Sequence, residues 1–81
     1  MTTTSDTYAT IVEIVKREGG VDGAPSADAD IYRDLGVEST KAIAILVSLE
    51  EQFGLTLEDA EFVKARTIDG LVALVERLAT T

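Results

Sequence analysis

The side chains that could do chemistry in this sequence are hydroxyls and carboxylates, because the chain has no cysteine and no histidine. Those two absences remove the usual nucleophile–base pairs, imidazole acid–base chemistry and most transition-metal sites. The acids Glu50-Glu51 and Glu58-Asp59 are adjacent in sequence. Adjacent helical residues point about 100° apart, so neither pair forms an opposed acid–base couple. We therefore expect that this chain is not an enzyme.

Asp28 and Asp30 begin a pattern like that of a calcium-binding loop. The pattern then fails, because Tyr32 occupies the third ligand position, Arg33 replaces the required glycine and Ser39 replaces the final glutamate. We predict no metal site and interpret these aspartates as loop and capping residues. The glycines also match no phosphate-binding loop.

Ser39 stands directly before a strong helical pattern, and its hydroxyl therefore has two possible roles. A serine at a helix start most often caps the helix by accepting a hydrogen bond from a backbone N–H. The residues alone favour that capping role, so a chemical role must be argued from the surrounding segments.

The first elements to position Ser39 are a helix and a long loop. Ser5 or Asp6 is expected to cap a helix that runs to about Glu18, after frayed Thr-rich residues at the start of the chain. Gly19-Gly20 should end it. Its buried face is predicted to comprise Tyr8, Ile11, Val12 and Val15. Residues 19–38 read as a loop with a short helical turn near 31–35. Its predicted apolar anchors are Ile31, Tyr32, Leu35 and Val37.

The second half of the chain predicts three further helical segments. The strongest runs from Ser39 to Phe53 and stops at Gly54, with apolar residues at three- and four-residue spacing. One acidic helical turn is expected at 58–62, and Thr67 should cap a last helix. We predict an all-α fold: a single domain over residues 1–81, with an ordered core of about residues 6–79. It is a small bundle of three main helices and one short helix.

The charge of the chain constrains its partners. It has 15 acidic and 7 basic residues, a formal net charge of −8. That charge argues against nucleic acid and anionic membranes, and it favours partners with basic patches. No basic-then-apolar leader and no apolar run of about 18 residues is found, so we expect a cytoplasmic protein without membrane insertion. We also expect it to be a monomer.

The segments at the two ends of the central helix resemble those of the acyl and peptidyl carrier protein family. They read Asp30-Ile-Tyr-Arg-Asp-Leu-Gly-Val-Glu-Ser-Thr and Leu49-Glu-Glu-Gln-Phe-Gly-Leu-Thr-Leu-Glu-Asp. In that family a Leu-Gly-x-Asp-Ser-Leu motif leads into a helix ending in Leu-Glu-x-x-Phe-Gly. A later Thr opens the final helix, as Thr67-Ile68 does here. The resemblance covers roughly residues 8–78.

The resemblance implies that Ser39 is the attachment point for 4'-phosphopantetheine, which a phosphopantetheinyl transferase moves from coenzyme A. The thiol then belongs to the prosthetic group, which fits a chain without cysteine. Free N–H groups and the positive dipole end favour a phosphodiester at a helix N-terminus. The arm would carry fatty acyl, polyketide or aminoacyl thioesters. Implied partners are an acyl-loading or adenylating enzyme and synthases or transferases with basic docking patches.

Three positions beside Ser39 depart from the family pattern. Glu38 replaces the usual Asp, which in the family helps to hold the magnesium of the transferase. Thr40 replaces an apolar residue that commonly touches partner enzymes, and Lys41 adds a positive charge to a normally acidic stretch. These departures favour a specialised carrier over the housekeeping fatty-acid one.

The exposed side of the central helix is expected to dock partner enzymes. Ile43 and Val47 follow Ser39 at four-residue steps, off the core stripe, with Glu50 and Glu51 at the far end and Thr40 at the near end. The alternative is that Ile43 and Val47 widen the buried face.

A different function stays open from the sequence alone. The chain could be an unmodified acidic interaction module whose central helix binds a basic partner. If it is a carrier, its cargo is either hidden between helices or exposed, and the aliphatic composition fits both.

Overall fold

Helix α1 covers Thr4–Gly19 in the computed structural model, which describes residues 4–79. It begins earlier than predicted, so Ser5 and Asp6 lie inside its first turn and the prediction that one of them caps it is wrong. An aspartate in the first turn still stabilises a helix, because its charge meets the positive end of the dipole. The fraying expected at residues 1–3 lies outside the described residues.

The end of α1 is formed by the glycine pair, as predicted. Gly20 has φ of 70°, and the Val21 N–H donates to the Lys16 carbonyl at 3.1 Å. This closure around a left-handed residue is a Schellman motif, which glycine adopts without a steric penalty. The buried face of the helix is shifted from the prediction, since Ile14 is buried while Val12 is only half-buried.

The connection from α1 to the next helix is held by two buried anchors. Ile31 and Val37 are buried in the core, and Tyr32 and Leu35 pack against it. The predicted helical turn is present as a hydrogen-bonded turn, in which the N–H groups of residues 34 and 35 donate to the Asp30 carbonyl at 2.8 and 3.1 Å. Asp30 also forms an isolated antiparallel bridge with Thr67.

Three more helices complete the described chain: α2 (Ser39–Phe53), α3 (Asp59–Lys64) and α4 (Ile68–Ala79). Gly54 ends α2 with φ of 64°, and its N–H donates to the Glu50 carbonyl. Thr67 caps α4 as predicted, because its Oγ1 accepts a hydrogen bond of 2.9 Å from the Gly70 N–H.

The core lies where α1 packs against α2 and α4, and α3 packs against α4. The largest fully buried side chains among the described residues are aliphatic: Ile11, Ile14, Val15, Ile31, Ile45, Leu49, Ile68, Leu71 and Val75. Burying each such side chain contributes about 1.5–3 kcal/mol relative to leaving it exposed. The prediction of an all-α bundle with three main helices, one short helix and a long first connection is confirmed.

Candidate functional site

Ser39 is the first residue of α2, and its side chain is exposed. The N-cap position belongs to Glu38, whose backbone is extended and whose carboxylate makes no capping hydrogen bond. Within residues 4–79 the Ser39 hydroxyl makes no hydrogen bond to any other group. The capping role of Ser39 is therefore excluded, and its hydroxyl is accessible to a modifying enzyme.

The N-terminus of α2 presents unsatisfied backbone donors beside that hydroxyl. The N–H groups of Lys41 and Ala42 donate to the Glu38 carbonyl at 3.0 and 2.9 Å. Those of Ser39 and Thr40 have no acceptor among the described residues. Free donors at the positive end of a helix dipole favour a negatively charged group, such as a phosphodiester.

A cleft with a volume of about 650 Å³ opens next to Ser39, between α2 and α3. This is within the usual size of a small-molecule site. Its apolar lining consists of Ala42, Ile43, Leu46, Phe62 and Val63. The polar residues that line it are Tyr32, Ser39, Asp59 and Arg66. The site thus joins a reactive hydroxyl to a mainly apolar cleft.

Asp30 organises the polar end of this region. Its carboxylate accepts hydrogen bonds from the backbone N–H groups of Tyr32 and Arg33, both at 2.9 Å. It also accepts from Arg66 through Nε at 2.7 Å and Nη2 at 3.3 Å. The Arg66 hydrogen bond and these backbone donors lower the pKa of Asp30 from 3.8 to about 2. Asp30 is thus a loop-capping residue, as predicted.

The aromatic ring of Tyr32 completes this cluster. The Arg66 guanidinium lies 4.9 Å from the centre of the Tyr32 ring, a cation–π contact. Burial raises the pKa of the Tyr32 hydroxyl, so the ring carries no charge at neutral pH. The Asp30 hydrogen bond raises the pKa of Arg66 and keeps it fully charged. The cluster therefore fixes a permanent cation at the cleft.

The predicted docking residues lie along one side of α2 and differ in exposure. Thr40 and Glu51 are exposed, and Ile43 and Val47 are 62% and 44% exposed. The alternative that the two aliphatic residues widen the buried face is therefore wrong. Glu50 is half-buried, and its carboxylate accepts a 2.9 Å hydrogen bond from the Leu57 N–H, so it stabilises the loop after α2.

Several cleft residues were not identified from the sequence. Phe62, Val63 and Arg66 lie more than twenty residues after Ser39, and Tyr32 was interpreted only as a core anchor. Val63 is 57% exposed on α3, which only the structure shows. Their meeting beside Ser39 depends on the packing of α3 against the bundle.

Comparison with known proteins gives consistent matches. A family model described as "Phosphopantetheine attachment site" matches residues 9–75. The chain is 24% identical over 78 residues to the acyl carrier protein of Thermotoga maritima, covering 95% of this chain and 96% of that protein. It is 36% identical over 58 residues to the acyl carrier protein of Campylobacter hominis, covering 68% and 73%.

A third match is to acyl carrier protein 1, chloroplastic, of Hordeum vulgare, with 29% identity over 76 residues. It covers 93% of this chain, which spans only 51% of the length of that protein.

The family match covers most of the chain, so this protein belongs to the phosphopantetheine-attachment family of carrier proteins. It is a non-catalytic carrier, and its cofactor is a covalently attached 4'-phosphopantetheine. An exposed hydroxyl and helix N–H groups that have no partner among the described residues fit that group. Family membership also favours the carrier role over an unmodified interaction module.

Two absences hold for the described part of the chain. Among residues 4–79, no three His, Cys, Asp or Glu side chains converge to form a site that could hold a metal ion. None of the four described helices is both long enough and apolar enough to cross a bilayer.

Proposed function

We propose that this protein carries acyl, polyketide or aminoacyl intermediates on a 4'-phosphopantetheine arm attached to Oγ of Ser39. The observation that carries the proposal is the state of that hydroxyl: it is exposed, has no hydrogen bond to any other described residue, and lies at the N-terminus of α2. Ser39 also lies within the segment that matches the family model. Residues 1–81 act as one carrier domain in this proposal, and the expected location is the cytoplasm.

The chain's own residues have defined tasks in this function. The bound group supplies the thiol that a cysteine-free chain lacks, and the cargo is held there as a thioester. Ser39 Oγ holds the arm in phosphodiester linkage. The N–H groups of Ser39 and Thr40 stabilise the phosphate charge. Glu38, exposed beside the serine, contributes a carboxylate to the magnesium of the modifying transferase.

The proposed partners dock on the exposed side of α2. The docking surface is a strip of polar, apolar and acidic side chains that begins next to the attachment site and consists of Thr40, Ile43, Val47 and Glu51. With a net charge of −8, the protein would be steered towards a phosphopantetheinyl transferase, a loading or adenylating enzyme and synthases or transferases with basic patches. Each partner would meet a monomer.

The test is modification by a broad-specificity phosphopantetheinyl transferase with coenzyme A and magnesium, followed by intact mass. We expect wild type to gain one phosphopantetheinyl group and Ser39→Ala to gain none. Ser26→Ala, which removes an exposed loop hydroxyl, is the matched control and should be modified like wild type. Equal modification of Ser39→Ala and wild type would refute the attachment assignment. Glu38→Asp should be modified at least as fast as wild type if this carboxylate serves the transferase metal.

A further inference from the structure

Arg66 is a basic side chain at a cleft whose described lining is otherwise apolar, neutral or acidic. Its guanidinium is held on one edge by Asp30 and on one face by the Tyr32 ring, at the distances given above. Asp30 is only 9% exposed and is itself fixed by two backbone N–H groups. A guanidinium held in this way loses little further conformational freedom when it binds a ligand.

The guanidinium has hydrogen-bond donors to spare. It carries five N–H groups, and the two contacts with Asp30 use one on Nε and one on Nη2. The remaining three have no acceptor among the described residues, and the side chain is 50% exposed, so water can solvate them. A cargo chain that enters the cleft displaces such water. An oxygen atom on the chain would replace the lost hydrogen bond, whereas a saturated chain would leave a donor unsatisfied.

The charges around the cleft decide which oxygen-bearing groups fit. Asp30 already compensates the charge of Arg66, and Asp59 also lines the cleft. The whole chain is strongly acidic, with a net charge of −8. A carboxylate on the cargo would be repelled by these acidic surroundings and would also lose its own hydration. A neutral keto or hydroxyl oxygen avoids both costs.

We propose that Arg66, held by Asp30 and Tyr32, is a specificity-determining residue that makes the cleft prefer acyl cargo bearing neutral keto or hydroxyl oxygens. Saturated chains and chains ending in a carboxylate enter it less. The inference rests on the proposed attachment of the cargo at Ser39, which lines the same cleft. The apolar residues from α2 and α3 hold the carbon chain, and Arg66 selects the oxygen.

The experiment compares three amide-linked cargo analogues of equal length, loaded through the transferase: saturated, keto-bearing and carboxylate-terminated. Intact mass first verifies loading. Occupancy of the cleft is then measured by NMR, from the Ile43 and Val63 methyl shifts and from their nuclear Overhauser effects to carbon-13-labelled cargo. One hydrogen bond to a charged donor predicts about a tenfold occupancy preference for the keto analogue.

Two variants of Arg66 and one control variant test whether Arg66 causes the occupancy preference for the keto analogue. Arg66→Met removes the donors and should abolish the preference, while Arg66→Lys keeps the charge beside Asp30 and should reduce it. Arg33→Met removes an arginine that follows Tyr32 in the connection between α1 and α2, is 81% exposed and does not line the cleft, so this variant should keep the preference. Circular dichroism establishes that each variant is folded.

The possible outcomes distinguish a failure of the proposed role of Arg66 from a failure of the proposed attachment at Ser39. Equal occupancy by saturated and keto cargo in wild type, or an unchanged preference in a folded Arg66→Met or Arg66→Lys variant, would overturn the role of Arg66 while leaving attachment at Ser39 intact. Failure to load Ser39 at all would instead refute the attachment assignment and this inference with it.

Discussion

Replacing Ser39 by alanine should leave the stability of the fold almost unchanged, although it removes the proposed attachment hydroxyl. That hydroxyl is exposed and has no hydrogen-bond partner within the described chain, so no bond is lost. Alanine is the better helix former, by at most about 0.7 kcal/mol. We therefore expect the free energy of unfolding of Ser39→Ala to lie within about 0.7 kcal/mol of wild type.

Thr67→Ala is the matched control, since Thr67 does cap a helix. Its Oγ1 accepts a 2.9 Å hydrogen bond from the Gly70 N–H, and losing such a cap costs about 1 kcal/mol. A domain of this length shifts its Tm by about 4–8 °C per kcal/mol. Urea and thermal unfolding followed by circular dichroism measure both variants. A loss of about 1 kcal/mol or more in Ser39→Ala would mean that its hydroxyl caps α2, and our description of the site would be wrong.

Three further predictions concern the fold that positions the site. The lowered pKa of Asp30, about 2 against the ordinary 3.8, means that its contribution to stability is complete above about pH 4 and is lost as the pH falls through about 2. Acid titrations should therefore show the stability advantage of wild type over Asp30→Asn shrinking in that window, and a pH-independent difference would contradict it. Ile45→Ala empties a fully buried position and should cost about 2–5 kcal/mol in urea unfolding, whereas Val47→Ala on the exposed face should change stability by less than about 0.5 kcal/mol. The added Cβ of Gly54→Ala meets no atom of the described residues within 4 Å, but the substitution forces alanine to φ of 64°, so it should cost about 1–2 kcal/mol through backbone strain alone, and an unchanged Tm would refute that reasoning.

The central helix was predictable because its signals are local. The apolar spacing of α2 and the glycine after Phe53 define its bounds without reference to the rest of the chain, and the structure has the same bounds. The cap of α4 is equally local, since Thr67 and the N–H that it accepts from are three residues apart.

The predictions for the cap and the buried face of α1 were wrong because several residues there carry the same sequence signal. Thr4, Ser5 and Asp6 are all helix-start residues, so the sequence does not distinguish among them. On α1, Val12 and Ile14 both continue a helical stripe through Ile11. Which of them is buried depends on how α2 and α4 pack, and no local pattern contains that information.

The candidate site also has a part that was predictable from local sequence and a part that was not. Ser39 could be identified from the motif around it, but the polar end of the cleft could not. Asp30 and Arg66 are separated by 36 residues, and their ion pair exists only because the long first connection pairs with the segment before α4. Long-range polar contacts of this kind have no periodicity in the sequence.

The most direct test of the central claim is to locate the modification in wild-type protein after incubation with coenzyme A, magnesium and the transferase. Trypsin cleavage after Arg33 and Lys41 releases the peptide of residues 34–41, which contains two adjacent hydroxyls, those of Ser39 and Thr40. Fragmentation by tandem mass spectrometry separates them. We predict that the phosphopantetheinyl mass lies on Ser39 alone. Its location on Thr40 or outside this peptide would contradict the account.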